Sequence, residues 1–306
     1  MAVFFSILLY AIWSSVFPLG KWTLQFGSPL FLTGVRALLS GILLLAFLAL
    51  FRKKALVLKW KHAFPLAALA FFSVYLTNAL EFWGLQHLSA AKTCFIYSLS
   101  PFFAALFSYL HFREKMTWEK WLGLCLGFAG MLPILIQQTG SEELFQAYGF
   151  FSWPTLSVIG AALVSVYGWI LLRLIVKGNA LPPSLTTAMS MVFGGTFALL
   201  HSYLFESWHP LPVGKGELYH FAQGTLGLMI ISNLLCYTFY GMLLKRFTAT
   251  FLSLMGLLSP IFASLYSWFF LNESISPLMF ASTGIVLFGL WIVHRAELKQ
   301  GYTRTS

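Results

Sequence analysis

The chain has 306 residues, of which 59% are hydrophobic, 18% are aromatic and only 9% are charged, whereas about 25% of the residues of a soluble globular domain are charged. This composition excludes an ordinary soluble domain and indicates a chain that is buried in a membrane. The formal net charge of +10 does not indicate nucleic-acid binding, because the basic residues lie at the ends of apolar segments and form no continuous basic surface.

Ten apolar segments follow one another, each close to the roughly 20 residues that a helix needs to cross a bilayer. They predict an all-α membrane protein with ten transmembrane helices. The first segment has no basic region before it and no A-x-A cleavage site, so we interpret it as a retained helix and not as a signal peptide. The predicted spans are Val3–Gly20, Pro29–Phe51, Ala63–Phe82, Ala90–Leu110, Trp118–Ile136, Phe151–Val176, Pro183–Leu204, Phe221–Leu243, Thr248–Leu271 and Pro277–Val293.

The basic residues predict the orientation of these helices. Fifteen of the 19 basic residues fall on one side of the predicted membrane, against only Lys21 and Lys215 on the other, while Arg36 and Lys92 lie inside spans. By the positive-inside rule the side with fifteen is cytoplasmic, so both termini are expected in the cytoplasm of an inner-membrane protein. The fifteen are Arg52, Lys53, Lys54, Lys59, Lys61, Arg113, Lys115, Lys120, Arg173, Lys177, Lys245, Arg246, Arg295, Lys299 and Arg304.

The second half of the chain repeats the first. Residues 88–117 match residues 246–276, so that Ser100, Pro101 and Glu114 correspond to Ser259, Pro260 and Glu273 at an offset of 159. In the second and seventh segments, Pro29, Thr33 and Gly41 correspond to Pro183, Thr187 and Gly195 at an offset of 154. A repeat of five helices must be inserted in the opposite orientation the second time, and inverted repeats indicate a transporter with a shared site near the membrane midplane. The predicted organisation is a first repeat (1–137), an external linker (138–150), a second repeat (151–294) and a cytoplasmic tail (295–306).

Several motifs occur in the order seen in one transporter family. They are Trp13 and Lys21 in the first segment, SAA and then SLSPFFA in the fourth, REKMT in the following loop, WLGLCLGFAG in the fifth, and AT, SPIFA and NESIS in the second half. With the repeat, they resemble EamA-type members of the drug/metabolite transporter superfamily over essentially the whole chain. This resemblance implies two inverted five-helix repeats around a central cavity and alternating-access transport of amino acids, purines or related metabolites.

Within that superfamily the chain is similar overall to the S-adenosylmethionine carriers of intracellular bacteria, although no single motif ties it to that ligand. The resemblance implies uptake or exchange of S-adenosylmethionine, with export of amino acids or other metabolites as the alternative. From a different class, a lipid-handling or structural membrane scaffold stays open. A scaffold needs no polar residues that converge on a cavity, so a cavity distinguishes the two classes.

Ionisable and polar side chains inside spans are the first candidates for a substrate site, because they are costly in a membrane. Arg36 lies in the second span, where it could bond carbonyls or lipid phosphate, or clamp a substrate carboxylate or phosphate. In the third span Asn78 and Glu81 follow Tyr75, and Lys92 opens the fourth. Because Glu81 and Lys92 are equally far from the midpoint of their connection, they are expected at similar depth, either as a pair facing the cavity or both extended to the external interface.

Aromatic residues near these polar groups are further candidates, since rings stack on planar bases and surround cations. Packing is the alternative role for any of them. The candidates are Trp13, Tyr75, Trp83, Tyr97, Tyr167, Trp169, Tyr237 and Tyr240, with Asn233 as a midspan amide that needs a partner. Pro101 and Pro260, at equivalent repeat positions, are expected to kink their helices and to serve as gating points.

Missing residues exclude several other functions. The chain contains no aspartate, which excludes an aspartate-dyad intramembrane protease, and it has no G-x-S-x-G, H-E-x-x-H or phosphate-loop pattern. The three cysteines, Cys94, Cys125 and Cys236, fall inside spans without metal or redox spacing and are expected to be packing residues. We therefore expect no enzyme activity, no cofactor and no metal, and only a small-molecule substrate and membrane lipids as partners.

Overall fold

The computed structural model describes residues 2–53, 56, 60–88, 93, 96–139, 152–177, 181–259, 261–262, 265–266 and 277–301. Within these residues every regular element is helical, apart from one antiparallel bridge between Gly27 and Val213. The α-helices are α1 (Ala2–Trp13), α2 (Val16–Thr23), α3 (Pro29–Phe51), α4 (Ala63–Leu69), α5 (Thr77–His87), α6 (Ser100–Phe112), α7 (Trp118–Thr139), α8 (Trp153–Lys177), α9 (Pro183–Phe205), α10 (Leu218–Leu228), α11 (Thr238–Leu243), α12 (Ala249–Met255) and α13 (Pro277–Lys299).

Two π-helical stretches interrupt long helices. The first π segment (Ala70–Leu76) joins α4 to α5, and the second π segment (Met229–Tyr237) joins α10 to α11. Short 3₁₀ turns precede α4 at Trp60–His62 and follow α12 at Gly256–Leu258. π-Helical turns are rare and occur frequently at functional sites.

Six helical stretches of the described residues are long and apolar enough to cross a membrane. They are Phe4–Thr23, Pro29–Phe51, Trp60–His87, Trp153–Val176, Pro183–Phe205 and Leu218–Leu243. The other four predicted spans contain the described helices α6, α7, α12 and α13. The prediction of an all-helical membrane fold is therefore confirmed for the part of the chain that the structure describes.

Three boundaries differ from the prediction. The first span is two helices, because Ser14 and Ser15 donate their hydroxyl hydrogens to the carbonyls of Ala11 and Ile12 and interrupt the helix between α1 and α2. The third span continues past Phe82 to His87, which places Glu81 well inside the helix. In the fourth span a turn at Ser98 and Leu99 separates the helical residues 96–97 from α6, and Pro101 lies in the first turn of α6, where proline costs no intrahelical hydrogen bond.

Glycines allow two helix pairs to pack backbone to backbone. A Cβ on Gly41 of α3 would lie 2.8 Å from the backbone nitrogen of Val192 in α9, and a Cβ on Gly195 would lie 2.5 Å from that of Leu38. α7 and α13 meet in the same way, because a Cβ on Gly289 would lie 2.8 Å from the backbone nitrogen of Gly127. Small residues at a crossing are typical of helix packing in membranes.

Charged side chains that are remote in the sequence cap the ends of two helices. The Glu206 carboxylate accepts hydrogen bonds from the backbone N–H groups of Leu30 and Phe31, at 2.8 and 2.9 Å, at the start of α3. Lys21 Nζ donates to the carbonyls of Leu85, Gln86 and Leu88 at the end of α5. An anion at a helix N-terminus and a cation at a C-terminus both stabilise the helix.

Candidate functional site

A cavity lies in the interior of the helix bundle. It comprises about 890 Å³ of atom-free space, with the open solvent at its mouth included. Its wall is formed by residues of α1, α2, α3, α5, α6, α8, α11, α12 and the second π segment, and by residues just before α6 and just after α12. Six serines give the wall small hydroxyl groups: Ser98, Ser100, Ser165, Ser232, Ser253 and Ser259.

Five rings form one side of the cavity, and we call them the aromatic cage: Tyr10, Trp13, Trp169, Tyr237 and Tyr240. The ring centroids of Trp169 and Tyr240 are 4.1 Å apart, and those of Trp169 and Tyr237 are 4.9 Å apart. Trp13 packs within 6 Å of Trp169, Tyr237 and Tyr240, and Tyr10 stacks on Trp13 at 5.9 Å. The negative faces of such rings attract cations, and flat ring surfaces stack on planar bases.

Arg36 supplies a positive charge to the cavity wall from α3. Its side chain is 2% exposed. Its Nη1 donates to Asn233 Oδ1 at 2.8 Å and its Nη2 donates to Asn78 Oδ1, while the guanidinium carbon lies 4.8 Å from the centre of the Phe82 ring. Both hydrogen-bond acceptors are neutral amides, so the charge of Arg36 is held in place without being neutralised by a contacting carboxylate.

Glu81 is the one carboxylate among the cavity-lining residues that the structure describes. Its Oε2 accepts a hydrogen bond from the Tyr97 hydroxyl at 2.7 Å, and Tyr97 packs edge-on against Phe17 at 5.6 Å. Glu81 and Arg36 interact electrostatically across the cavity wall. The predicted partner of Glu81, Lys92, lies outside the described residues.

The structure brings together most of the polar and aromatic candidates. Trp13, Arg36, Asn78, Glu81, Tyr97, Trp169, Tyr237 and Tyr240 all line the cavity. Asn233 lies behind the wall as the partner of Arg36. Pro260 lies outside the described residues, and gating at Pro101 stays a prediction.

Three aromatic candidates lie elsewhere. The Tyr75 hydroxyl is hydrogen-bonded to His201 Nδ1 at 2.8 Å, and Trp83 is 40% exposed and packs on His87. Tyr167 packs among Phe72, Phe107 and His111. None of the three lines the cavity, because their positions on the helices direct the rings to other surfaces of the bundle.

Sequence reasoning missed Tyr10 and the cavity serines, whereas Thr77, which belongs to the polar set of the third span with Tyr75, Asn78 and Glu81, does line the cavity. Tyr10 lies three residues before Trp13, so the two share one face of α1, and this spacing is the signal that would have found it.

Sequence reasoning also missed the burial of four charged residues. Glu114, Lys120, Arg173 and Glu297, which we call the buried charge cluster, are each at most 3% exposed, although Lys120 and Arg173 were predicted only as basic residues at helix ends.

Comparison with known proteins identifies the family. The model of the EamA-like transporter family matches residues 1–136 and 152–295. The chain belongs to the EamA-like transporter family. It is a transporter of the drug/metabolite transporter superfamily, not an enzyme, and the prediction of a multi-pass inner-membrane protein is confirmed.

Some relatives of this EamA-like transporter are named for a substrate, and others are uncharacterized transporters. It is 40% identical over 307 residues to the S-adenosylmethionine/S-adenosylhomocysteine transporter of Chlamydia muridarum, covering 100% of this chain and 95% of that protein. The protein of the same name from Chlamydia trachomatis serovar L2 is also 40% identical, with 93% of that protein covered. An uncharacterized transporter of Bacillus subtilis is 27% identical over 296 residues, 95% of this chain and 91% of that protein. A crystal structure with 16% identity superposes with a TM-score of 0.74 over 96% of this chain and 97% of its own, which shows a shared fold.

Proposed function

We propose that this transporter exchanges S-adenosylmethionine for S-adenosylhomocysteine across the inner membrane by alternating access, with the central cavity as the substrate site. The observation that carries the proposal is that one cavity combines Arg36, Glu81 and the aromatic cage. S-adenosylmethionine has matching groups: a carboxylate, an ammonium, a sulfonium cation and an adenine ring. The 40% identity to two full-length carriers of that name supports the same substrate.

The chemistry assigns each end of the substrate to a region of the wall. Arg36 receives the carboxylate, because a guanidinium binds carboxylates with two parallel hydrogen bonds. Glu81 receives the ammonium through the carboxylate oxygen that Tyr97 leaves free. The aromatic cage surrounds the sulfonium and stacks on the adenine, and the cavity serines offer hydroxyl groups to the remaining polar atoms.

Alternating access rests on two inverted five-helix repeats, residues 1–137 and 151–294, joined by an external linker at 138–150, with both termini in the cytoplasm. Equivalent contacts in the two halves support this arrangement. At the offset of 154, Gly41 corresponds to Gly195 and Val192 to Leu38. Gly41 faces the backbone of Val192 and Gly195 faces that of Leu38, so the two contacts are equivalent. The two π segments begin at Ala70 and Met229, which are separated by the repeat offset of 159.

Uptake by proteoliposomes tests the proposed function. Purified protein is reconstituted with or without internal S-adenosylhomocysteine, and entry of labelled S-adenosylmethionine is measured. We expect saturable uptake, and we expect internal S-adenosylhomocysteine to accelerate it. Glu81→Gln should lose both the uptake and the acceleration. The matched control is Glu217→Gln, which neutralises an exposed acid paired with His220 outside the cavity.

Absence of uptake by correctly inserted wild-type protein under both conditions would overturn the substrate assignment. Release of labelled amino acids from the same vesicles would then test the alternative, amino-acid export. An amino acid fits Arg36 and Glu81 equally well but leaves the aromatic cage without a cation or base. The cage is the reason that S-adenosylmethionine is the preferred assignment.

A further inference from the structure

The environment of Arg36 is unusual for a buried cation. Among the described residues no carboxylate oxygen lies within 4.0 Å of its guanidinium, and its Nε is buried without a hydrogen-bond partner. A buried charge normally has a counter-ion, because desolvation costs several kcal/mol. By contrast, the buried Arg173 contacts a glutamate at 2.7 Å. Arg36 therefore keeps an unused N–H and has no carboxylate in contact with it, although Glu81 interacts with it electrostatically from a greater distance.

The two amides that hold Arg36 come from opposite halves of the chain, one from within a π segment and the other from just after one. Asn233 lies within the second π segment, and Asn78 lies two residues after the first. Because Asn78 Oδ1 accepts from Arg36, its Nδ2 is free to donate, and it donates to the carbonyl of Val74 at 2.6 Å. Asn78 is thus fixed in orientation with its oxygen directed at Arg36.

Side chains bond three successive carbonyls of the first π segment. Thr77 Oγ1 donates to the carbonyl of Phe72 at 2.7 Å, and the hydroxyl of Tyr237, in the second π segment, donates to the carbonyl of Ser73 at 3.2 Å. The carbonyl of Val74 accepts the hydrogen bond from Asn78 Nδ2. The segment is also closely packed, since a Cβ on Gly168 would lie 2.7 Å from Ser73 Cα. The wider π-helical backbone is therefore held in one position, and Asn78 with it.

We propose that Asn78 and Asn233 determine the specificity of the site: by holding Arg36 through neutral oxygens, they leave its charge for the carboxylate of the substrate. An aspartate of the same shape in either position would supply a permanent counter-ion and remove that preference. The inference rests on the proposed function only in taking the central cavity as the substrate site. It adds that the site selects amino-acid-type zwitterions over the corresponding amines, through two positioning residues, one in each half.

The test uses two pairs of ligands that differ only in a carboxylate: S-adenosylmethionine with its decarboxylated form, and methionine with 3-methylthiopropylamine. Binding to the purified full-length protein is measured by thermal stabilisation at increasing ligand concentration. In wild type the carboxylate member of a pair binds more tightly. In Asn78→Asp and Asn233→Asp that preference falls about tenfold or more, the size of one lost charge-assisted hydrogen bond, whereas the amines bind equally well or better.

Neutral variants separate specificity from structure. Asn233→Ser shortens the side chain without adding charge, so it weakens binding of both members of a pair but keeps the carboxylate preference. Gln223→Glu adds the same charge as the aspartate variants, but at an exposed residue on α10 that hydrogen-bonds Tyr219. It should change neither the affinity for the ligands nor the carboxylate preference. If the aspartate variants do not fold, Asn233→Ser is the test instead, and either unchanged binding of both members of a pair or loss of the carboxylate preference in that variant would overturn the inference.

The outcomes distinguish this inference from the proposed function. A carboxylate preference for methionine without binding of S-adenosylmethionine overturns the substrate and leaves the role of Asn78 and Asn233 standing. An unchanged preference in folded Asn78→Asp and Asn233→Asp overturns the inference and leaves the substrate. Wild-type protein that binds neither pair, or binds the amines as tightly as the zwitterions, overturns the inference as well.

Discussion

Glu114 and Arg173 form an ion pair of 2.7 Å in which the two side chains are only 4% and 2% exposed. The Arg173 guanidinium also lies 4.4 Å from the centre of the Phe112 ring. Nearby, Lys120 Nζ is 3.5 Å from Glu297 Oε1, with both side chains fully buried. The buried charge cluster therefore connects the end of α6 and the start of α7, in the first half, to α8 and α13 in the second.

Removing one member of this cluster should destabilise the fold strongly. Arg173→Met leaves Glu114 buried without its cation, and breaking a buried ion pair in this way costs about 3–5 kcal/mol. The expected result is a large fall in the melting temperature of the purified protein in detergent. Lys299→Met is the control, because the Lys299–Glu119 pair has nearly the same distance, 2.8 Å, but is about half exposed.

An exposed pair contributes at most about 1 kcal/mol, so Lys299→Met should leave the melting temperature almost unchanged. Equal shifts in the two variants would mean that burial of the Glu114–Arg173 pair has no energetic consequence. Measurements at low and high salt add a second comparison. Salt screens the exposed pair but has little effect on the buried one.

Glu81 and Tyr97 should contribute unequally to substrate binding. Glu81→Gln removes the negative charge that receives the ammonium, so the affinity for S-adenosylmethionine should fall about tenfold or more. Tyr97→Phe removes only the hydrogen bond to Glu81 Oε2 and keeps the charge, so its effect should be smaller. Titration calorimetry on detergent-purified protein gives both affinities. A larger loss in Tyr97→Phe than in Glu81→Gln would contradict the role assigned to the carboxylate.

The aromatic cage should distinguish the two proposed substrates. S-adenosylmethionine carries a sulfonium and S-adenosylhomocysteine a neutral thioether, and a cation over aromatic rings gains about 0.5–2 kcal/mol. Trp169→Leu should therefore weaken binding of S-adenosylmethionine more than that of S-adenosylhomocysteine, by a factor of about 2 to 30. Competition between the two ligands during uptake measures the ratio directly.

Trp83→Leu is the matched control for the cage, because Trp83 is 40% exposed and does not line the cavity. It should leave the ratio of the two affinities unchanged. If Trp169→Leu lowers the affinity for both ligands equally, the cage contacts the adenine that they share and not the sulfonium. That result would remove the sulfonium from the assignment while keeping the site.

The sequence predicts the helices and much of the cavity, but not the direction in which each side chain points. Hydropathy locates the spans because a membrane requires long apolar segments. It cannot separate Trp169, which lines the cavity, from Tyr167, which packs elsewhere, because lipid-facing and protein-facing surfaces of a membrane helix are both apolar. The π segments have no local sequence signal. Arg173 was counted among the basic residues that predict the cytoplasmic side, because it lies near a helix end. That position does not reveal that its partner lies at the end of another helix.

The crossing of α3 and α9 gives a prediction that concerns both halves at once. Gly195→Ala would place a Cβ 2.5 Å from the backbone nitrogen of Leu38, and Gly41→Ala would place one 2.8 Å from that of Val192. Backbone atoms cannot move aside as a side chain can, so each variant should lose about 1–3 kcal/mol of stability. Gly284→Ala in α13 meets nothing within 4 Å and should be neutral or stabilising by up to about 1 kcal/mol. Melting temperatures of the three variants provide the comparison. Because Gly41 and Gly195 correspond in the proposed inverted repeat, their variants should show similar losses, whereas a loss in only one would mean that the two halves do not share this contact equally.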